Sequence, residues 1–546
     1  MAGEPQNQGN GFLVEGDVGF IGLNTRESPT VLQPGMISYG ENIRMDRGII
    51  TMRKGVKRLT TEQLSGKTIY GACVYTNANG DEQLIFATNA GLYWFDPITN
   101  SVNNVAIAYP AGHTINAPVE MYQAKSNNQG GYVYILRGFN LPVLRWDGSS
   151  VIVLPTNQTH FNFPNSKTGI WYGNRHIVQD DKNSFSVSHY LVDNAWSNLD
   201  RFTINDGGND SLVAITPWTL NEFVVFMRNS AFYANVGIGA VASGEPVPTD
   251  SYVKSLVTDI GCIAKKSIVQ AGGGIIFLSD NGIYMLQPSQ ASAVEGMRLL
   301  TLSLPLSAPI DDIIAKINVN AVSNSVAVYF NNRYYLAVPI NGSTTNNCVL
   351  VYNFINKNWE SIDTYQPGFD IKHLFVAKKG TSRKLFAVDT EQGVFQMEEL
   401  FWDEYTGQLG SPKLDIANNV PKLDIASGQP VLSSASFTPN PIVSQVKTRA
   451  YSFGSLNEKR YSSVSTELDL TNSSWMVISA ITVNPDSEVV VDSFSLATNN
   501  NTVRRTPIRR IGNYTQIKYM TYNGQPSIRA TTVHAIMVGN NIISKK

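Results

Sequence analysis

The chain has 546 residues, 42% of them hydrophobic and 10% aromatic, which is ample material for a large core. Charged residues make up only 16%, and 42 Lys and Arg against 43 Asp and Glu leave a formal charge of −1. That balance argues against tight binding to nucleic acid or an anionic membrane, and the low charge content argues against helices with ion-paired faces.

Residues 1–10 are polar and glycine-rich, without the basic start and apolar stretch of a signal peptide. From Gly19 to Gly55 turn formers crowd together at Ser28-Pro29, Pro34-Gly35, Arg47-Gly48 and Lys54-Gly55. One strand, 49–52, stands among them, so residues 1–66 are expected to form an extended N-terminal arm that wraps or enters a body.

Between residues 67 and 402 a pair of strand signals recurs about seven times. Each copy is an apolar run, a polar turn and a second run carrying an aromatic. The pairs are 84–88 with 91–95, 133–136 with 144–146, 176–178 with 185–188, 223–226 with 231–233, 275–278 with 282–286, 334–338 with 348–352, and 385–388 with 393–395. Their roughly fifty-residue spacing is that of propeller blades. Asn79-Gly80, Asp147-Gly148 and Asn281-Gly282 supply the positive-φ residues of tight hairpins. Further strand signals precede the pairs, as at 68–75, or follow them, as at 151–154. The expectation is an all-β chain whose body, 67–402, is a β-propeller of about seven repeated units. Within it the loop 237–250 is expected to project.

Residues 403–447 read as a Gly/Pro/Ser-rich linker, in which the segment 412–417 is repeated as 421–426, a slippage duplication in a tolerant loop. From 448 to 546 a period-two pattern resumes and predicts a smaller C-terminal β-sandwich-like region, either a second domain or strands joined to an edge of the first.

Chemistry-bearing motifs are scarce. His113, His160, His176, His189, His373 and His534 stand at no metal-ligand spacing from one another, and P-loop, Rossmann and Gly-x-Ser-x-Gly patterns are absent. No cofactor or metal is expected. Cys73, Cys262 and Cys348 are odd in number and far apart, which predicts buried free thiols and folding in a reducing cytoplasm. The run 205–210 is oxygen-rich and reads as a turn rather than a cation site. Asp180, Asp193, Asp206 and Glu222 are the carboxylates a glycosidase propeller could draw on. The nearest approach to an Asp-box, Ser279-Asp280-Asn281-Gly282, lacks its following Trp. No window approaches the roughly eighteen apolar residues of a membrane-spanning helix. Arg504, Arg505, Arg509 and Arg510, helped by Lys518 and Lys545-Lys546, form the one basic cluster. It reads as a charged edge strand, or as a patch that meets an acidic partner subunit or DNA phosphates.

Several motifs, taken in order, carry a resemblance. Gly19-Phe20-Ile21-Gly22-Leu23-Asn24, Ser28-Pro29, Leu32-Gln33-Pro34-Gly35, Asn42, Arg47-Gly48 and Arg53-Lys54-Gly55 resemble the N-terminal signature of the tail nozzle (tail hub) proteins of short-tailed bacteriophages. The likeness continues through Arg145-Trp146-Asp147-Gly148, Ala195-Trp196 with Phe202-Thr203-Ile204, and Gly261-Cys262 followed by the segment 277–284. The duplication at 412–426 has no place in it, and residues 448–546 match only in general β character. The resemblance implies a non-enzymatic, propeller-bearing subunit of the virion tail, made in the host cytoplasm and arranged about six to a ring. Its partners would be copies of itself, a head-tail adaptor, tail fibre, spike or needle proteins, and double-stranded DNA passing through without sequence preference. The arm and the 237–250 loop are candidates for neighbour or gate contacts. The alternative is a carbohydrate-binding or glycoside-cleaving propeller.

Overall fold

The computed structural model describes the chain outside residues 1–5, 9–11, 60–63, 65, 104, 126–130, 156–161, 205–207, 220–221, 238–241, 289–300, 390–392, 406–413, 416–419, 422–439, 471–473, 483–486, 497–499, 523–524 and 539–546. The fold is all-β and propeller-like. Among the described residues the one α-helix is the single turn Asp311–Ile314.

Seven four-stranded antiparallel units follow one another along the chain. Sheet 1 is Ile69–Thr76, Glu82–Thr88, Gly91–Asp96 and Ser101–Val102. Sheet 2 is Glu120–Ala124, Tyr132–Leu136, Leu144–Trp146 and Val151–Val153. Sheet 3 is Gly169–Tyr172, Arg175–Asp181, Ser184–Ser188 and Trp196–Thr203. Sheet 4 is Leu212–Pro217, Phe223–Met227, Ala231–Asn235 and Tyr252–Val257. Sheet 5 is Val269–Ala271, Gly274–Ser279, Gly282–Pro288 and Thr301–Pro305. Sheet 6 is Val326–Phe330, Arg333–Val338, Cys348–Asn353 and Asn358–Thr364. Sheet 7 is Ile371–Lys379, Ser382–Asp389 and Gly393–Leu400, and its fourth strand is Gly55–Arg58 from the far end of the chain. The seven strand pairs expected from sequence are the second and third strands of these sheets.

The second strands are apolar on both faces because each has a neighbouring sheet on either side. In sheet 1, Leu84 and Phe86 pack with Phe386 and Val388 of sheet 7, whereas the alternate residues Ile85 and Ala87 pack with Val133 and Ile135 of sheet 2. The same alternation joins sheet 2 to 3 through Tyr134 and Val178, 3 to 4 through Phe185 and Phe223, and 4 to 5 through Phe226 and Phe277. Tyr334 and Leu336 take sheet 6 onto sheet 5, while their neighbours Tyr335 and Ala337 take it onto sheet 7.

The C-terminal region is a two-layer sandwich. One layer is Phe12–Val18, Ser527–Met537, Lys459–Leu470 and Asn500–Gly512, with the hairpin Ile43–Asp46 and Ile49–Met52 attached. The other is Met36–Glu41, Val443–Thr448, Thr515–Tyr522, Ser474–Thr482 and Glu488–Leu496, and it is continuous with sheet 6 through a parallel bridge between Ile362 and Glu41. Val464, Leu468 and Val533 of the first layer meet Met476, Ile478 and Ile517 of the second. The hydroxyl of Tyr519 joins Thr466 and Thr531 across the gap at 2.8 Å.

The N-terminal segment enters the other sheets: it supplies strands to both sandwich layers and closes sheet 7. Gly55–Arg58 takes the edge of sheet 7, whereas Met36–Glu41 lies inside its layer, between Asn358–Thr364 and Val443–Thr448. The loop 237–250 is mostly exposed where it is described, and it is tied to sheet 3. Glu245 and Pro246 carbonyls accept from Arg175 at 3.1 and 3.0 Å, and Tyr190 N–H bonds the Glu245 carbonyl at 2.9 Å. Of the 412–426 duplication, only the bridge of Leu414–Asp415 to Val420–Pro421 is described; the rest lies outside the described residues.

Candidate functional sites

The joint between body and sandwich is built from the residues that carry the sequence resemblance. Asn42 has φ of 56° and lies between two strands, so its side chain points into the joint. Its Oδ1 accepts from Arg53 Nε at 2.8 Å and from Thr364 N–H at 2.9 Å, and its Nδ2 donates to the Val443 carbonyl at 2.8 Å. One amide thus ties sheet 6, the sandwich and the segment leading into sheet 7. Arg53, 1% exposed, then forks onto Asp403 at 2.8 and 2.6 Å. Asp403 also takes the Val56 N–H at 3.0 Å. Burial opposes the guanidinium charge, but Asp403 holds its pKa well above the ordinary value. Gly55 is obligatory here, because a Cβ would fall on the Trp402 carbonyl.

Arg44 repeats the device, forking onto Asp363 of sheet 6 at 3.0 and 2.6 Å and bonding Glu398 of sheet 7. On the sandwich side Arg449 bonds Glu15 at 2.5 Å and Asp17 at 2.9 Å, and Asp17 also receives Tyr451 Oη at 2.8 Å and Gly35 N–H at 3.0 Å. Gly19 and Gly48, at φ of 99° and 79°, let the Phe20 N–H reach the Gly48 carbonyl at 2.9 Å. These carboxylates are fully engaged by guanidinium and N–H groups, so chemically they are ties. Sequence reasoning missed Asp363, Glu398 and Asp403. The available signal was a charge set within apolar strand residues, as Arg44 is between Ile43 and Met45.

The basic cluster lies on Asn500–Gly512, the edge strand of the first sandwich layer, but it is not one patch. Alternation turns Arg504 toward the second layer, where it bonds Asp492 at 2.6 Å and sits 3.9 Å over the Phe494 ring. Arg505, Arg509 and Arg510 are exposed, with Arg505 reaching Ser463 at 3.0 Å and Arg509 at φ of 54°. Lys518 belongs to the other layer and pairs with Glu488 at 2.9 Å. Lys545 and Lys546 lie outside the described residues.

The turn Lys265–Ser267, which leads into sheet 5, reaches sheets that share no core with sheet 5. Lys265 pairs with Glu120 of sheet 2 and donates to Thr168 beside sheet 3 at 2.5 Å, and Lys266 lies 3.4 Å from His373 of sheet 7.

Three of the four carboxylates considered for glycoside chemistry are engaged. Asp180 accepts from Ser186 and Arg201 at 2.7 and 2.9 Å, Asp193 from Tyr134 and Arg145 at 2.8 and 2.5 Å, and Glu222 from Tyr252 at 2.9 Å. Asp206, within the 205–210 run, lies outside the described residues. The three cysteines are free and buried, and burial pushes the Cys73 and Cys262 thiols up to about 12. His176 is enclosed by Tyr134, Phe163 and Trp171, with ring centroids 4.5 to 5.2 Å away, and burial pushes it down to about 3. Among the described residues, no group of three or more His, Cys, Asp or Glu side chains could hold a metal ion, and no helix is long and apolar enough to cross a membrane.

No protein-family model matches the chain, and no curated protein matches it. Among solved structures it is similar to the extracellular domain of a hybrid two-component system from B. thetaiotaomicron, at 13% identity and a TM-score of 0.39, over 66% of this chain and 45% of that one. It is also similar to an ancestral GH74 enzyme, at 8% identity and a TM-score of 0.39, over 66% and 51%. A third similarity, to BBS1N in a complex with ARL6DN, has 13% identity and a TM-score of 0.35, over 64% and 98%. The chain therefore spans about half the length of the first two. Scores of this size say nothing about function.

Proposed function

We propose that the chain is a structural subunit of a phage tail nozzle or hub ring, in which a closed seven-bladed propeller and a sandwich form one stiff wall element around a DNA conduit. The observation that carries this reading is the joint. Asn42, Arg53, Gly55, Gly19, Gly35 and Gly48, which bear the sequence resemblance, all take part in fixing the N-terminal segment to the body and the sandwich. A signature spent on rigidity suits a part that works by shape.

The conduit would lie between subunits. Within one chain the Lys265–Glu120 pair crosses from sheet 5 to sheet 2, so the space among the seven sheets is not open to a duplex. A formal charge of −1 suits a wall past which DNA slides, since a strongly basic wall would hold phosphates by counterion release. A ring needs head-to-tail contacts that close, and the exposed edge strand with Arg505, Arg509 and Arg510 is one such surface.

Negative-stain imaging and sedimentation of the purified chain, alone and with a head-tail adaptor, test the reading. The expected result is a closed ring of about six copies. A species that stays monomeric with the adaptor present overturns it. Release of sugar from a host polysaccharide, abolished by Asp180→Asn or Glu222→Gln, would put the glycosidase in its place.

A further inference from the structure

His189 has an acceptor at each ring nitrogen. Its Nδ1 lies 3.0 Å from the Gly244 carbonyl of the 237–250 loop, and its Nε2 lies 3.4 Å from Asp200 Oδ2. A carbonyl can only accept, so Nδ1 carries a hydrogen. A neutral ring then turns the bare lone pair of Nε2 toward a carboxylate oxygen. Nε2 and Oδ2 are both shielded from solvent, and neither has any other partner among the described residues. One further proton between them satisfies both, and its absence leaves two buried acceptors facing each other.

The backbone builds this arrangement. Ser186 pairs with Arg201 and Ser188 with Trp196, so residues 197–200 bulge opposite Val187 alone. The bulge turns Leu199 outward, at 92% exposure, and Asp200 inward, at 5%. There Asp200 also accepts the Val247 N–H of the loop. Burial pushes the Asp200 carboxyl up, against that N–H and the charges of His189 and Arg175. The other charged groups around the pair are occupied. Arg175, on the second strand of sheet 3, donates to the Glu245 and Pro246 carbonyls and faces the Tyr190 ring. The Glu245 carboxylate takes the Ala242 N–H at 3.1 Å, and the Gly244 N–H bonds the Tyr190 carbonyl at 2.8 Å. Those ties do not change with pH near neutrality, which leaves the imidazole and its carboxylate as the titrating contact between loop and sheet.

We propose that His189 and Asp200 form a proton-operated latch: one shared proton holds the 237–250 loop on sheet 3, and its loss loosens the loop. The pair keeps that proton more tightly in the held state, because only there do the two acceptors meet away from water. The hold is therefore complete below about pH 6.5, the ordinary histidine value, and is lost as pH rises beyond it. The latch does not rest on the tail reading, since every contact in it lies within one chain.

The test is hydrogen exchange of the full chain, read by mass spectrometry on peptides covering 242–250 and expressed as protection relative to the unstructured peptide. Between about pH 5.5 and about pH 9 that protection should fall about tenfold, while protection of the strand Glu82–Thr88 in sheet 1 does not fall. Asp200→Asn supplies a neutral donor to Nε2 and keeps an oxygen for the Val247 N–H, so it should hold the acid level of protection at both pH values. His189→Ala should show the alkaline level at both. Sheet 1 reports whether each variant is folded, and the wild-type profile with Asp200→Asn decides the case even without His189→Ala. Equal wild-type protection at the two pH values overturns the proposal, as does an Asp200→Asn chain that keeps the wild-type pH dependence.

Discussion

Between sheets 7 and 1 the contact is Phe386 against Phe95, ring centroids 6.2 Å apart, surrounded by Leu84, Phe86 and Val388. Between the same sheet 7 and the sandwich it is Arg53 against Asp403 and Asn42. The first kind of contact is non-directional and recurs between successive sheets, so each interface tolerates small changes of side chain. The second is directional and built once. Buried ion pairs of this kind contribute little net stability over an apolar replacement, because desolvation cancels most of the attraction. What they add is a fixed orientation, and the difference between the regions is one of specificity more than of strength.

The sharpest break of that comparison is Arg53→Ala. It leaves Asp403 buried without its guanidinium partner and is expected to cost about 3–5 kcal/mol in urea unfolding. The paired substitution Arg53→Met with Asp403→Leu should recover most of the loss, since it removes both charges. If the double variant is as unstable as the single one, the pair is not the orienting tie described here.

Acid should act on the body next. His176 is buried neutral at the interface of sheets 2 and 3, with a pKa near 3 against about 6.5 in the unfolded chain. The unfolded state therefore binds the extra proton, and this contribution is complete above pH 6.5 and lost as pH falls toward 3. Between pH 6.5 and 5 the loss should be about 1.6 kcal/mol, measured as a fall in the urea midpoint. His176→Phe should flatten that dependence. A smaller change is expected from Ile177→Val on the next residue, which removes one methylene from the core of sheets 3 and 4 and should cost about 1 kcal/mol.

These regions also differed in how far sequence revealed them. The seven strand pairs were legible because both faces of each second strand are apolar and the turns between them are local. The joint was legible only as a string of motifs. Gly55–Arg58 pairs with residues near 395–400, and Arg44 meets Asp363 and Glu398, more than 300 positions away. No local period encodes a partner at that distance. Phe12–Val18 was hidden for a related reason: its Glu15 and Asp17 look like solvated charges until Arg449 is brought to them.

The exposed arginines should show the smallest effect on stability and the largest on assembly. Arg504 is partly buried against Asp492, so Arg504→Ala should cost up to about 1 kcal/mol. Changing Arg505, Arg509 and Arg510 together to Ser should alter unfolding by less than about 0.5 kcal/mol, since those side chains face solvent. If the strand meets an acidic neighbour, the triple variant should still fold, form fewer rings, and lose the salt sensitivity of ring formation in sedimentation at rising salt. If the charges only guard the edge, rings should form as before, and the variant should instead aggregate through the exposed Val503 and Ile511, which are 68% and 54% accessible on the same strand. The two outcomes separate a contact surface from a protected edge, which alternation along a strand cannot do by itself.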